Sequence, residues 1–230
     1  LYSSYPLDSR IAISGVGTNE WNLNGVVEDN PTMSNQVFDT SNFIISGGMS
    51  YGTIIVKGEV TVGTVQLELT NSYRLNQNTN FIQVQTTLKN IGTVNATNVR
   101  YWVGTKDDYI GGDDRPKKER GNINNNSFEL NTSTGQRSQA IRISSNDEGI
   151  LFFTTSTRGN TAFDGYSSII FKAANTNPDT VPVSIDNDGS YSMFIRMNDL
   201  AVNESDTFLW YYAASPLDSL DEVAKAIPDD

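Results

Sequence analysis

The densest chemistry in the chain lies between Gly104 and Asn126, where Asp107, Asp108, Asp113, Asp114 and Glu119 are interleaved with Lys106, Arg115, Lys117, Lys118 and Arg120. Clustered carboxylates, with Gly111-Gly112 between them for a sharp turn, suit a hard cation bound through oxygen. Asp107, Asp108, Asp113 and Asp114 are therefore the candidate calcium ligands, and calcium is the one cofactor the sequence points to. Trp102 and Tyr109, with Tyr101 nearby, are candidates to stack on a sugar ring, and Arg115 completes the candidate ligand contacts. The same stretch reads first as a solvated loop tied together by its own salt bridges. It is charge-balanced, so the whole formal charge of −11 belongs to the rest of the chain.

Other motifs are weaker. Asp186-Asn-Asp-Gly-Ser190 begins like a calcium loop but lacks the downstream bidentate glutamate, and its flanks predict a tight hairpin turn. Asn146-Asp-Glu-Gly149 and Gly47-Gly48 read as turns. Ser14-Gly15-Val16-Gly17 lacks the strand–glycine–helix context of a phosphate loop. The chain has no cysteine and no histidine, which excludes Ser-His-Asp and Cys-His nucleophile systems, thiolate zinc sites and disulfides. A polysaccharide-acting enzyme built on two carboxylates stays open, since it needs only two positioned Asp or Glu residues. A pI near 4.4 argues against nucleic acid and anionic membrane partners. No apolar run is long enough for a transmembrane segment.

The elements that position these residues are strands. Period-two alternation runs through Arg10–Ser14, Asn42–Ser46, Thr53–Lys57, Glu59–Leu69, Phe81–Lys89 and Asn98–Gly104, with a change of phase at Gly63-Thr64 that predicts a bulge or bend. It continues through Ser127–Leu130, Gln139–Ser144, Gly149–Thr155, Ser167–Ala173, Val181–Asp186, Ser190–Met197 and Asp206–Ala213. No linker composition divides them, so residues 1–230 are expected to form a single domain. Ser219-Leu-Asp-Glu222 has capping-box spacing, and Leu220, Val223, Ala224 and Ile227 follow at helical intervals until Pro228, which predicts one short C-terminal helix over an end or edge of the sheets.

Val65–Gly92 resembles the strand–turn–strand of galactose-mutarotase-like β-supersandwiches, in which a strand ending Tyr-x-Leu precedes one closing on Leu-x-Asn-x-Gly. Asp206–Ile227 resembles the closing strand and short helix of sandwich modules in large secreted bacterial surface proteins. The resemblance implies an all-β fold, a large antiparallel β-sandwich of the supersandwich kind. Sugar epimerases of that fold use histidines with a glutamate, so no catalytic residue carries over to this histidine-free chain. The expectation is a non-catalytic extracellular module for adhesion, carbohydrate binding or surface assembly, secreted or on a bacterial cell surface. Its expected partners are a carbohydrate, a cell-surface protein or, in a self-assembling filament or layer, further copies of itself. The start at Leu1 fits a mature product or a fragment.

Overall fold

The computed structural model describes residues 7–15, 20–23, 25–77, 79–166 and 172–226. The chain is an all-β sandwich of two antiparallel sheets with a short helix near its C-terminus. Contacts divide it into two compact units, Arg10–Tyr101 with Arg196–Tyr211, and Leu1–Ser9 with Trp102–Ile195 and Tyr212–Asp230. Each unit is assembled from separated segments, and for that reason no linker-like composition marks a boundary.

In the unit around Arg10–Tyr101, β1 (Asp8–Ile13) pairs with β2 (Val26–Asp29), and Arg10 Nε lies 2.7 Å from Asp29 Oδ1. The long strands β3 (Ser34–Ser46), β4 (Met49–Val62), β5 (Val65–Leu75) and β6 (Phe81–Asn90) form an antiparallel meander. Gly47 and Gly48, with φ of 61° and 78°, make the two-residue β3–β4 turn whose twist suits a hairpin. The change of phase at Gly63-Thr64 is a second hairpin turn and not a bulge. Gly63, at φ 60°, lets the chain reverse, and Val62 then faces Val65 across the pair. Val60, Val62, Val65, Leu67, Leu69, Val84 and Leu88 fill the core beneath the meander. Trp210 Nε1 donates to Thr86 Oγ1 at 3.0 Å, and that hydroxyl donates to Asn71 Oδ1 at 2.7 Å, so two polar groups in the core satisfy each other.

The other unit holds β7 (Arg100–Thr105, from Trp102 onward), β8 (Lys117–Asn124), β9 (Ser127–Leu130), β10 (Ala140–Ser145) and β11 (Glu148–Thr154). It continues with β12 (Gly159–Gly165), the single helical turn α1 (Lys172–Asn175), β13 (Ser184–Asp186) and β14 (Gly189–Arg196). Last come the second half of β15 (Ser205–Pro216) and the helix α2 (Leu220–Lys225). Here β13, β8, β10 and β11 lie side by side, with β9 on β8, while β12 pairs with β14. Asn125-Asn126 and Asn146-Asp147 turn their hairpins with positive φ, a conformation Asn and Asp tolerate.

Four further expectations need correction. The stretch Gly104–Asn126 is not one long loop, because its second half is β8; the connection is confined to residues 106–116. The segment 186–190 is not a hairpin, since β13 pairs with β8 whereas β14 pairs with β12. The predicted strand Ser167–Ala173 lies outside the described residues up to 171, and Lys172 and Ala173 open α1. Finally, Ser219 does not cap α2. A 3-10 turn over Leu217–Ser219 runs straight into the helix, and the Ser219 hydroxyl bonds Asp218 Oδ1 at 3.1 Å instead. The apolar spacing of that helix holds: Leu220, Val223 and Ala224 are buried, and α2 packs on β9 and β11. Ile227 and Pro228 lie outside the described residues.

Candidate functional site

Strand β8 explains the charged stretch. Lys118, Glu119 and Arg120 are all buried, and each is met by a partner. Lys118 and Asp108, whose side chains are both 0% exposed, form an ion pair, and the same ammonium donates to the Asn187 carbonyl at 2.6 Å and the Pro116 carbonyl at 3.3 Å. Glu119 accepts from Arg142 at 2.8 Å and lies 2.7 Å from Lys117 Nζ. Arg120 donates to Asn160 Oδ1 at 2.9 Å and to the Val181 carbonyl at 3.1 Å; burial lowers its guanidinium to about 10.

Carboxylate oxygens of Asp107, Asp108 and Asp188 lie within 4.8 Å of one another. Two of these are sequence candidates; Asp188 joins them because the β13–β14 connection passes over the start of the 106–116 loop. The Gly189 N–H donates to Asp108 Oδ1 at 3.2 Å. Burial pushes the Asp108 carboxyl up to about 6, against the pull of the Lys118 ammonium. The Asp188 carboxyl is raised as well, by burial and by the charges of Asp107 and Asp114. Asp113 is held apart from this trio: its Oδ2 accepts from the Ser145 hydroxyl at 2.6 Å, which lowers its carboxyl, and its Oδ1 accepts from the Arg115 N–H at 2.9 Å. Asp114 and Arg115 are exposed. An acid raised beside other carboxylates has the electronic form of a general acid, yet the Asp108 side chain reaches no solvent and therefore no substrate. Its geometry is that of a clamp in which a lysine supplies the cation.

The expected sugar contacts separate. Trp102 is fully buried, so its indole has no open face on which a ring could stack, and it drops out of any ligand contact. Its alternation within β7 is real, but every residue of that strand is buried, so neither face is outward. Tyr109 is 37% exposed and shares the surface with Arg115.

A concave, polar surface lies instead on the β4–β6 meander. Its volume is about 440 Å³, lined by Tyr51 and Thr53 of β4, Ser72 and Arg74 of β5, and Gln83 and Gln85 of β6. Register places them together: Thr53 faces Arg74, which faces Gln83, and Ser72 faces Gln85. Directly opposed residues project from one side of a sheet, so the polar members of three alternating strands become one wall. Asn76 and Gln77, from the turn after β5, close one end. Arg74 Nε donates to Asn76 Oδ1 at 2.9 Å, which fixes the guanidinium, and Gln83 Nε2 donates to the Tyr211 hydroxyl at 3.2 Å. Among the described residues, no Asp or Glu lines this surface. It offers amides and hydroxyls that both donate and accept, one fixed cation and one aromatic ring. The signal was in the sequence as the polar half of each alternation. It becomes a site only once the β4–β5–β6 register is known.

No protein-family model matches the chain, and no curated protein matches it. In fold it is similar to part of a bacterial glucoamylase solved with acarbose, with a TM-score of 0.52 and 8% identity over 95% of this chain and 27% of that one. A protein described as an aldose 1-epimerase from Escherichia coli K12 aligns at a TM-score of 0.46 and 10% identity, over 80% of this chain and 82% of that one. A GH36 alpha-galactosidase from Geobacillus stearothermophilus, solved with raffinose, aligns at 0.46 and 12% identity over 90% of this chain and 30% of that one. The likeness is one of fold. This chain spans less than a third of the glucoamylase and the galactosidase.

Proposed function

We propose that the chain is a non-catalytic module that binds neutral carbohydrate on the polar face of β4–β6. The observation that carries this reading is the groove itself. About 440 Å³ lies within the size of small-ligand sites, enough for about one or two sugar rings, and its wall is made of amides and hydroxyls rather than carboxylates. Sugar hydroxyls donate and accept together, which Gln, Asn, Ser and Thr side chains match and a purely acidic or basic wall does not. Tyr51 supplies the apolar face a sugar ring packs on. The lack of carboxylates in the lining favours binding over two-carboxylate hydrolysis. Kinship of fold with a glucoamylase solved with acarbose accords with a carbohydrate context.

The ligand is placed here and not on the 106–116 loop, because Trp102 is buried and Asp108 and Asp113 are engaged internally. Calcium at Asp107, Asp108 and Asp188 would share the Asp108 carboxylate with the Lys118 ammonium. An extracellular, cell-surface setting fits the acidic, cysteine-free, Asn/Ser/Thr-rich composition, and no helix among the described residues is long and apolar enough to cross a membrane. A glycan array tests the function: the wild-type chain should retain neutral oligosaccharides without releasing product, and Arg74→Ala with Gln85→Ala should abolish retention. Uniform failure to bind any glycan, or sugar release by the purified chain, would overturn it.

A further inference from the structure

The face of the meander opposite the groove carries a different chemistry. Register aligns Phe43, Gly52, Leu75 and Ile82 in one row across β3–β6, and Ile54, Tyr73 and Val84 in the next across β4–β6. A third row begins Phe38, Val56, and Ile45 lies beyond the first, near the tip of the β3–β4 hairpin. Nearer the other end of the strands, Val60, Leu67 and Leu88 are covered to 2% exposure or less. Towards the Gly47-Gly48 turn the cover gives out: Phe38 is 64% exposed, Ile45 77% and Ile82 39%. A sheet with an apolar face needs a second layer, and among the described residues part of that face has none.

We propose that a second copy of this chain supplies the layer, packing the same face against its equivalent about a two-fold axis. Charge points to a like partner. Residues 34–56, 70–76 and 81–85 contain one acid, Asp39, and one base, Arg74, so the region is neutral within a chain of net charge −11. Asp39 lies opposite Ile55, on the groove side. Two copies therefore meet here without opposing like charges, whereas elsewhere the acidic surface repels its own kind. Area sets the strength of the pairing. On this face of β6 only Ile82 is open, Val84 being covered at 1% exposure, so three strands about 4.8 Å apart over about seven residues give roughly 350 Å² of flat sheet per copy, or about 800 Å² for the pair with side-chain relief, the size of a weak, concentration-dependent contact. An isologous pair leaves both polar grooves facing outward, which makes the assembly bivalent.

Sedimentation equilibrium of the full chain tests this. The mass should rise from 25.3 kDa toward twice that value as concentration goes from about 1 μM to about 1 mM, the range of a modest interface. Ile45→Lys and Phe38→Lys, both at solvent-exposed positions outside the core, should hold the mass at the monomer value with unchanged melting temperature. Val37→Lys is the control: Val37 is 57% exposed but lies opposite Lys57 on the groove side, and its variant should dimerise like the parent. A parent that stays monomeric to about 1 mM overturns the proposal, as it must if another partner or further chain covers this face. Dimerisation that survives Ile45→Lys, or that Val37→Lys abolishes, overturns it as well.

Discussion

Exchanging Lys118 for methionine and Asp108 for asparagine, singly and together, tests whether β8 is held by a buried charge pair. Both side chains are 0% exposed. Removing one partner from such a pair costs about 3–5 kcal/mol, because the other charge is left without compensation in a medium that solvates it poorly. The two single variants should respond to pH with opposite signs. Asp108 has its native carboxyl raised to about 6, above its unfolded value, so its contribution to stability is complete below the unfolded value and is lost as pH rises through about 6. Without Lys118 the native value moves higher still, and the loss continues above pH 6 at up to about 1.36 kcal/mol per pH unit. Lys118→Met should thus trail the parent by about 1 kcal/mol at pH 5 and about 3–4 kcal/mol at pH 8. Asp108→Asn has no such carboxyl to titrate, so its deficit should be largest at low pH and shrink as pH rises through about 6, where the parent loses the contribution of its raised carboxyl. The double variant should cost at least about 2 kcal/mol less than the sum of the singles. Urea unfolding at pH 5, 7 and 9 reads all three. A Lys118→Met deficit below about 1 kcal/mol at pH 8, or deficits that move with pH in the same direction, would refute the clamp.

Thr86→Val keeps the shape of a fully buried side chain while removing the oxygen that receives Trp210 Nε1, and should cost about 1–3 kcal/mol in urea unfolding. Ser219→Ala should cost less than about 0.5 kcal/mol, because the hydroxyl makes no cap bond; a loss near the 1 kcal/mol typical of a working N-cap would show that the helix start differs from that described. If calcium binds the Asp107–Asp108–Asp188 trio, millimolar calcium should raise the melting temperature and EDTA should reverse it, with a smaller rise in Asp188→Asn. An unchanged melt would exclude a stabilising calcium site there.

What was legible in the sequence followed from apolar periodicity. Phe81–Lys89 and Ser127–Leu130 read correctly because each alternation is clean, and α2 because Leu220, Val223 and Ala224 keep helical spacing. What was missed lay where charge and burial part company. Lys117-Lys118-Glu119-Arg120 has the composition of a solvated loop, and only the positions of Asp108, Arg142 and Asn160 show that these charges are buried and matched. Asp188 was equally hidden: its approach to Asp107 and Asp108 is set by strand pairing about eighty residues away in sequence. The groove was half visible. Ser72, Arg74, Gln83 and Gln85 are the polar half of ordinary alternations, and a single strand cannot reveal that three such halves share one concave wall.

Whether β4–β6 carries a sugar-binding groove is read by following backbone amide signals of the isotope-labelled chain during titration with a neutral oligosaccharide chosen from the array. Saturable shifts should concentrate at Thr53, Ser72, Arg74, Gln83 and Gln85 and vanish in Arg74→Ala with Gln85→Ala. Shifts centred on Tyr109 and Arg115, with the meander silent, would contradict it.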